Sequence, residues 1–335
     1  MRKNVEGEKK SMKGNVLCAA LGGLLLALCF PVGAQQPKKV PRIGFVTASG
    51  SPNNVVAFRQ GLKNLGYVEG KNILVEYRDV EGKLDRIPAL VAELVQLKVD
   101  VLVAGPITAI RAAKEATKTI PIVIVTLQDP VVTGIVDSLA RPGGNITGLT
   151  RLTRELSGKR LELVAEVVPG MSRVGVLADA NLPGSAIGFK EYEGAARALK
   201  IQLQYIAARG PNPDLEAAFQ AAKGRASALI TIGNPVLNRY TKRIADLAIR
   251  NRLPSMCEAS DWAEAGGLMS YSADDAESFR RAAVYVDKIL KGTKPADLPV
   301  EQPTKFEFVI NLKTAKQIGV TIPQSVLFRA DRVIK

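Results

Sequence analysis

The sequence predicts an α/β protein made of two doubly wound parallel-sheet lobes that are joined by a multi-stranded hinge. Short apolar runs rich in β-branched residues alternate with amphipathic segments of helical spacing, which is typical of β-α-β units. The alternation pauses once, over residues 127–150, and then resumes with the same rhythm. A chain of 335 residues is long enough for two domains of ordinary size.

The first 34 residues are predicted to be a cleaved signal peptide. A basic opening precedes the apolar run VLCAALGGLLLALCF, and the small residues Gly33 and Ala34 come directly before a polar stretch. The apolar run is shorter than the roughly 20 residues that a membrane-spanning helix needs, so an uncleaved anchor is the less favoured alternative. Met12 is a second candidate start, because the MKGN segment is basic enough by itself.

Composition and charge disfavour several kinds of site and partner. The chain has no histidine, which removes Ser-His-Asp and Cys-His catalysis and the commonest zinc sites. Loss of residues 1–34 lowers the formal charge of +14 by three and leaves Cys257 as the single cysteine, so no internal disulfide is expected. The basic residues are scattered over predicted helix faces, so no nucleic-acid partner is predicted. No cofactor and no metal site are predicted.

The first unit, which begins near residue 40, is predicted to contain four strands and three helices. An apolar run at Arg42–Ala48 opens it, and the helical spacing of Val55, Phe58 and Leu62 marks the first helix. The strands are predicted at 42–48, 72–78, 99–105 and 119–126, and the helices at 55–67, 84–98 and 106–118.

The second unit is predicted to repeat this rhythm. Its strands are predicted at 172–179, 201–208, 226–233 and 252–258, and its helices at 156–170, 185–200, 214–225 and 235–252. A long helix over Asp274–Leu290, a strand, a short helix and a tail follow. The simplest arrangement sends this C-terminal region back to the first lobe. The predicted lobes are therefore 40–147 with 272–300, and 148–271, with 301–335 as a final crossover and tail.

The glycine-rich stretch SLARPGGNITGLT, residues 138–150, lies between the two units. It matches neither the GxxxxGK[ST] pattern of a phosphate loop nor the GxGxxG pattern of a dinucleotide site. A short β-like piece follows its glycines, with no helix start to hold a phosphate. We interpret the stretch as a turn followed by a strand that crosses between the lobes and twists as they close.

Six segments that run through the chain in order resemble one protein family. They are FRQGLKNLGYVEGKNILVEYR, GKLDRIPALVAELVQLKVDVLVAG, IPIVIVTLQDPV, SLARPGGNITGLT, ELSGKRLELVAEVVPG and PVEQPTKFEFVINLKTAKQIGVTIP. Together they resemble the extracytoplasmic substrate-binding proteins of ABC importers, in the branch related to tryptophan and tyrosine binders. The resemblance implies a type I periplasmic-binding-protein fold, with a three-stranded hinge and a ligand in the cleft between the lobes.

The same resemblance implies a periplasmic, monomeric, non-enzymatic protein that captures a small ligand by hinge closure and delivers it to an ABC permease. An amino acid, a small organic acid and an aromatic metabolite all remain candidate ligands. The family typically has glycine where Ser272 stands and a small residue where Ile107 stands, so a relative's ligand does not transfer directly. Alternatives are a sensory module for a membrane receptor and, less favoured because no GxSxG motif stands out, an exported α/β enzyme.

Ligands of open parallel sheets bind outside the carboxyl ends of the strands. The residues that follow each predicted strand are therefore the candidate ligand-binding residues. They are Thr47, Ala48, Ser49, Asn53, Gly105, Pro106, Thr108, Gln128, Asp129, Asp179, Asn181, Gly233, Asn234, Glu258, Asp261, Ser270 and Tyr271. No catalytic residue is predicted.

The chemistry of these residues suits a small zwitterion or polar metabolite. Backbone amides and hydroxyls at the predicted helix start from Gly105 to Thr108 would hold a carboxylate. Asp129, Asp179 or Glu258 would face an ammonium group.

Several of these side chains also have a purely structural interpretation. Asp129 would start a turn and Asp179 would cap a loop. Asn234 would cap the helix that follows it. Tyr271 or Trp262 would stack on a ligand ring, although packing inside the lobe is favoured for Trp262.

Overall fold

The computed structural model describes residues 39–47, 52–80, 83–151, 153–210, 212–259, 261–303 and 306–335. The predicted signal peptide, residues 1–34, and the candidates Ala48 and Ser49 lie outside the described residues. Residues Val40–Lys335 form one compact unit, and the predicted α/β class with two mainly parallel sheets is confirmed.

The first lobe is built on a parallel sheet of five strands in the order β2-β1-β3-β4-β5. The strands are β1 (Arg42–Thr47), β2 (Leu74–Asp79), β3 (Val101–Ala104), β4 (Ile122–Thr126) and β5 (Ile146–Thr150). The first four are connected by α1 (Pro52–Asn64), α2 (Ile87–Gln96) and α3 (Ile107–Ala116). Strands β3 and β4 are buried along their whole length, which explains why they are continuous apolar runs rather than alternating ones.

The second lobe carries a sheet of seven strands in the order β12-β11-β10-β9-β8-β6-β7. The strands are β6 (Arg173–Asp179), β7 (Gln202–Ala208), β8 (Ala228–Thr231), β9 (Ser255–Cys257), β10 (Met269–Ala273), β11 (Phe306–Asn311) and β12 (Arg332–Ile334). Neighbouring strands are parallel except for the antiparallel pair β10 and β11.

Eight α-helices among the described residues follow β5 in the chain. They are α4 (Thr153–Val167), α5 (Pro183–Ala198), α6 (Leu215–Ala222), α7 (Pro235–Asn238), α8 (Thr241–Arg250), α9 (Asp275–Leu290), α10 (Leu312–Ile318) and α11 (Gln324–Leu327). Helix α9 packs against α1 in the first lobe. The Asp274 side chain caps the start of α9 by accepting a hydrogen bond from the Glu277 N–H. Acidic residues in the first turn stabilise the helix further, because the helix dipole places partial positive charge at this end.

The chain crosses between the lobes three times. The first crossing follows β5 at Arg151, the second joins β10 to α9, and the third leads into β11. In the third crossing the Glu301 N–H donates to the Gly148 carbonyl, and the Glu301 carbonyl accepts from the Thr150 N–H, each at 2.9 Å. The third crossing is thereby attached to the end of β5.

Side chains tie the crossings together as well. Arg151 in the first crossing pairs with Asp275 at the start of α9. Arg281 on α9 binds Glu301 in the third crossing through two hydrogen bonds of 2.7 Å. Charged pairs therefore link α9 to the first and the third crossing.

Gly148 allows β5 to pair closely with β4. Its φ is +140°, and a side chain there would overlap the backbone of Ile124. Strand β5 is thus a full member of the first sheet. The crossing, which the sequence analysis placed within this strand, begins only after it.

The structure also corrects two predictions about the later part of the chain. The single helix predicted at 235–252 is divided into α7 and α8 by a turn at Arg239 and Tyr240, across which the Thr241 hydroxyl donates to the Asn238 carbonyl at 2.7 Å. Of the C-terminal region, only α9 and the segment after it return to the first lobe. Strands β11 and β12 extend the second sheet, where β11 pairs with β10.

The proposed lobe boundaries fall inside regular elements. The boundary at 147/148 cuts β5, and the boundary at 271/272 cuts β10. Each strand belongs to one sheet along its whole length. The first crossing therefore begins after Thr150, and the second begins after Ala273.

Two side chains that the sequence analysis singled out belong to the core of the second lobe. Trp262 is 1% exposed and lies against Gly267, whose missing side chain leaves room for the indole. Cys257 is buried, and burial raises the pKa of its thiol to about 12. Within the described ranges, no helix is both long and apolar enough to cross a membrane. No cluster of three or more acidic or sulfur ligands is placed there to hold a metal ion.

Candidate functional site

A cavity lies between the two lobes. The first lobe lines it with the ends of β1, β3 and β4 and the start of α3, and the second lobe with the starts of α5 and α7. The cavity has a volume of about 130 Å³, and an apolar cavity of roughly 150 Å³ is enough to hold benzene. The lining residues are Phe45, Val46, Thr47, Asn54, Leu84, Gly105, Pro106, Ile107, Thr108, Arg111, Val125, Leu127, Gln128, Arg151, Leu182, Gly184, Ser185, Gly233, Asn234, Asn238 and Phe279.

The cavity brings together some of the residues that the strand-end argument named. They are Thr47, Gly105, Pro106, Thr108, Gln128, Gly233 and Asn234. These residues meet because β1, β3 and β4 are neighbours whose carboxyl ends lie at one edge of the first sheet, while the end of β8 faces the same space from the second lobe.

Gln128 is held in place by the strand ends beside it. Its N–H donates to the Thr126 hydroxyl at 3.2 Å, and its carbonyl accepts from the Thr150 hydroxyl at 3.1 Å. A Cβ at Gly184, on α5 of the opposite lobe, would lie 3.1 Å from the Gln128 Nε2. The lobes are therefore close together across the cavity at this point.

Asn234 lines the cavity, but its side chain serves the second lobe. Its Oδ1 accepts from the N–H groups of Val236 and Leu237 at 3.0 and 2.9 Å, which caps α7. The side chain is buried, so its bonds agree with the capping interpretation.

One wall of the cavity is apolar. Phe45 from β1 and Phe279 from α9 lie with their ring centroids 6.0 Å apart, and Val125 and Leu127 continue the wall along the end of β4. Such a surface suits an apolar or aromatic body on the ligand.

Two arginines in the lining were missed by the strand-end argument. Arg111 lies on α3 three residues after Thr108, so the two share one helix face. That spacing is a signal that the sequence contained. Arg151 follows β5 and pairs with Asp275, and its buried Nε has no hydrogen-bond partner within the described residues.

Two of the candidate carboxylates accept hydrogen bonds from backbone N–H groups of their own loops. The Asp129 Oδ1 accepts from the Val131 N–H at 2.7 Å, which is the turn-forming role. The Asp179 Oδ1 accepts from the Asn181 N–H at 2.9 Å, and burial raises the pKa of the Asp179 carboxyl. None of Asp129, Asp179 and Asn181 lines the cavity.

Glu258 lies behind the cavity wall. Its carboxylate accepts from the Gly233 N–H at 2.7 Å and pairs with Arg160 at 3.4 Å. The Arg160 Nε in turn donates to the Tyr271 carbonyl at 2.6 Å. The two charged side chains are only 1% and 4% exposed, and burial raises the pKa of Glu258 although Arg160 opposes that shift. The pair therefore positions Gly233, a lining residue, from inside the second lobe.

The other candidates that do not line the cavity are Asn53, Asp261, Ser270 and Tyr271. Asn53 is exposed on α1, and its neighbour Asn54 lines the cavity instead. Tyr271 packs against Phe306 and Phe308, with ring centroids 6.1 Å from each. Its ring is thus part of the packing of the second sheet.

Known proteins resemble this chain along most of its length. The family described as ABC transporter substrate binding protein matches residues 39–334. A tyrosine-binding protein from Clostridioides difficile (strain R20291) is 24% identical over 265 residues, which are 78% of this chain and 75% of the relative.

Two solved structures share the fold at higher identity. A conserved domain protein from Vibrio cholerae has a TM-score of 0.82 at 28% identity, with 88% of this chain and 100% of that chain covered. An ABC domain from Streptococcus pneumonia, solved in complex with L-Trp, has a TM-score of 0.78 at 25% identity with the same coverage.

Proposed function

Because this chain belongs to the ABC transporter substrate binding protein family, we propose that it is the extracytoplasmic solute-binding component of an ABC importer. Its fold is that of type I periplasmic binding proteins. The observation that supports the proposal is a cavity whose lining comes from both lobes. Such a protein captures a small ligand and presents it to a membrane permease, which requires no catalytic group.

Capture is proposed to occur by closure of the two lobes about the three crossings. The lobes approach each other across the cavity at Gln128 and Gly184. Rotation about the crossings would open and close this gap without breaking either sheet. A ligand that binds both lobes would favour the closed arrangement through its contacts with the second lobe.

The ligand is proposed to be a small metabolite with an apolar or aromatic part. The relatives named above bind tyrosine and L-Trp by their descriptions. In this chain the wall formed by Phe45 and Phe279 supports a ligand of that shape.

Native mass spectrometry of the protein, purified without refolding, tests the proposal first. A discrete added mass that is lost on mild denaturation would support a retained ligand. A thermal-shift screen of amino acids and organic acids follows, since a ligand at a hundredfold excess over its Kd stabilises the fold by about 2.7 kcal/mol. A bare mass together with a blank screen would contradict the proposal.

Two variants of helix α5 test whether the cavity is the site. Gly184→Trp places an indole in the gap beside Gln128 and is expected to weaken ligand binding at least tenfold. Gly194→Trp, on the exposed part of the same helix where a Cβ meets nothing within 4 Å, is the matched control. Titration calorimetry on both variants, with circular dichroism to check folding, decides the question. Equal affinity in the two variants would exclude this cavity as the site.

A further inference from the structure

The charged side chains that line the cavity are cationic. Arg111 and Arg151 line it, and no aspartate or glutamate does so among the residues that the structure describes. A free amino acid carries an ammonium group as well as a carboxylate, and a desolvated charge needs a partner. The lining offers charged partners to an anion only.

Arg111 is available to a ligand. It forms no ion pair or hydrogen bond with any residue in the described part of the chain, and it lies on α3 at the cavity. The start of α3 at Ile107 also faces the cavity, and the helix dipole places partial positive charge there. The Arg111 side chain and the start of α3 therefore both favour a negatively charged ligand.

The carboxylates next to the lining residues are already engaged. Asp275 binds Arg151, and Glu258 binds Arg160 inside the second lobe. The Asp129 Oδ1 accepts two backbone N–H groups of its own turn at 2.7 and 3.2 Å. None of these three carboxylates lines the cavity.

Arg151 adds a second guanidinium to the lining. Asp275 already pairs with its charge, and its Nε is too deeply buried to contact a ligand in the cavity. Among the described residues, Arg111 is therefore the lining cation that is left for a ligand.

We infer that the cavity is built for an organic anion with an apolar body and no ammonium group, such as an aryl- or alkyl-carboxylate. This inference rests on the proposed function and narrows its ligand class. The wall at Phe45 and Phe279 takes the apolar body, while Arg111 takes the anionic group. The ligand class thereby differs from the amino acids in the descriptions of the relatives.

Matched ligand pairs that differ only in the α-ammonium group test the inference. The pairs are 3-(indol-3-yl)propionate with L-tryptophan, 3-phenylpropionate with L-phenylalanine, and 4-methylpentanoate with L-leucine. Titration calorimetry on the purified protein is expected to show at least tenfold tighter binding of the acid in each pair that binds. Equal or tighter binding of the amino acid would overturn the inference and leave the proposed function standing.

Absence of binding by every member of the three pairs would also overturn the inference. The proposed function would then be judged separately, by the ligand that native mass spectrometry finds retained in the protein. The two failures are therefore distinguishable.

A pair of arginine variants tests the role of the lining cation. Arg111→Gln is expected to weaken binding of the preferred acid at least tenfold. Arg141→Gln changes an exposed arginine of the first lobe that does not line the cavity, and is expected to leave affinity unchanged. If the two variants bind the acid equally well, the inference is wrong.

Discussion

The two lobes differ in whether the charged side chains near the cavity are paired within the protein. In the second lobe, Arg160 and Glu258 are almost fully buried and paired with each other. In the first lobe, Arg111 lies at the cavity without a partner among the described residues. The desolvation of a buried pair is complete once the lobe has folded, whereas an unpaired cation at a cavity wall remains for a ligand to neutralise. The comparison indicates that the charged pair near the cavity in the second lobe stabilises the fold, whereas Arg111 in the first lobe is available to bind a ligand.

The largest effect is expected when the buried pair is broken. Glu258→Gln keeps the shape of the side chain but removes the negative charge that faces the buried Arg160, which should lower the free energy of unfolding by about 3–5 kcal/mol. Urea unfolding followed by circular dichroism measures the loss.

The matched control lies in the same lobe. Glu264 pairs with Arg332 at the surface, with side chains 53% and 42% exposed. Glu264→Gln should therefore lower the free energy of unfolding by less than about 1 kcal/mol. Similar losses in the two variants would show that the buried pair contributes no more than a surface pair, and the comparison of the lobes would fail.

An intermediate effect is expected at the backbone of the first lobe. Gly148→Ala forces a side chain against the backbone of Ile124 at a φ of +140°, and should lower the free energy of unfolding by about 2–3 kcal/mol. Gly144→Ala, at a φ of +57° with open space around it, should cost only about 1 kcal/mol. Equal losses in urea unfolding would mean that the close packing of β5 on β4 contributes nothing beyond the strain of a positive φ.

The smallest effect is expected at the charged pair between α9 and the third crossing. The hydrogen bonds from Arg281 lower the pKa of Glu301, so this pair stabilises the fold above the unfolded pKa of about 4.3. That stability is lost as the pH falls below this value. Because both side chains are partly exposed, the loss should be about 0.5 kcal/mol.

Unfolding in urea at pH 6 and at pH 3 measures this dependence. The wild-type protein should lose more stability between the two pH values than Glu301→Gln, since the variant has no carboxylate to protonate. An equal loss in the two proteins would show that Glu301 does not contribute to the pH dependence.

Much of the fold was predictable because burial on both faces makes strands such as β3 and β4 into uninterrupted apolar runs. The division between α7 and α8 was not predictable, since the turn at Arg239 and Tyr240 leaves no break in the helical pattern of the sequence. The return of β11 to the second sheet depends on its pairing with β10, a contact distant in sequence.

The lining residues of the candidate site that lie at strand ends were predictable from the sequence. Thr47, Gly105 and Gln128 line the cavity because each lies at or just after the end of a strand of the first sheet. Position alone cannot show whether a carboxylate faces the cavity or its own loop, and Asp129 faces its loop because two N–H groups of the turn are within reach. Arg111 was missed because it lies along a helix and away from any strand end.

The contacts around the crossings favour one kind of movement for the closure proposed above. Backbone bonds join the third crossing to β5, and charged pairs join α9 to the first and third crossings. Under that proposal, rotation of the lobes about an axis near these contacts would keep them, whereas sliding of one lobe along the other would strain them. Ligands of different length would then stop the rotation at different angles, and the outer surface offered to the proposed membrane partner would change with the ligand that is bound.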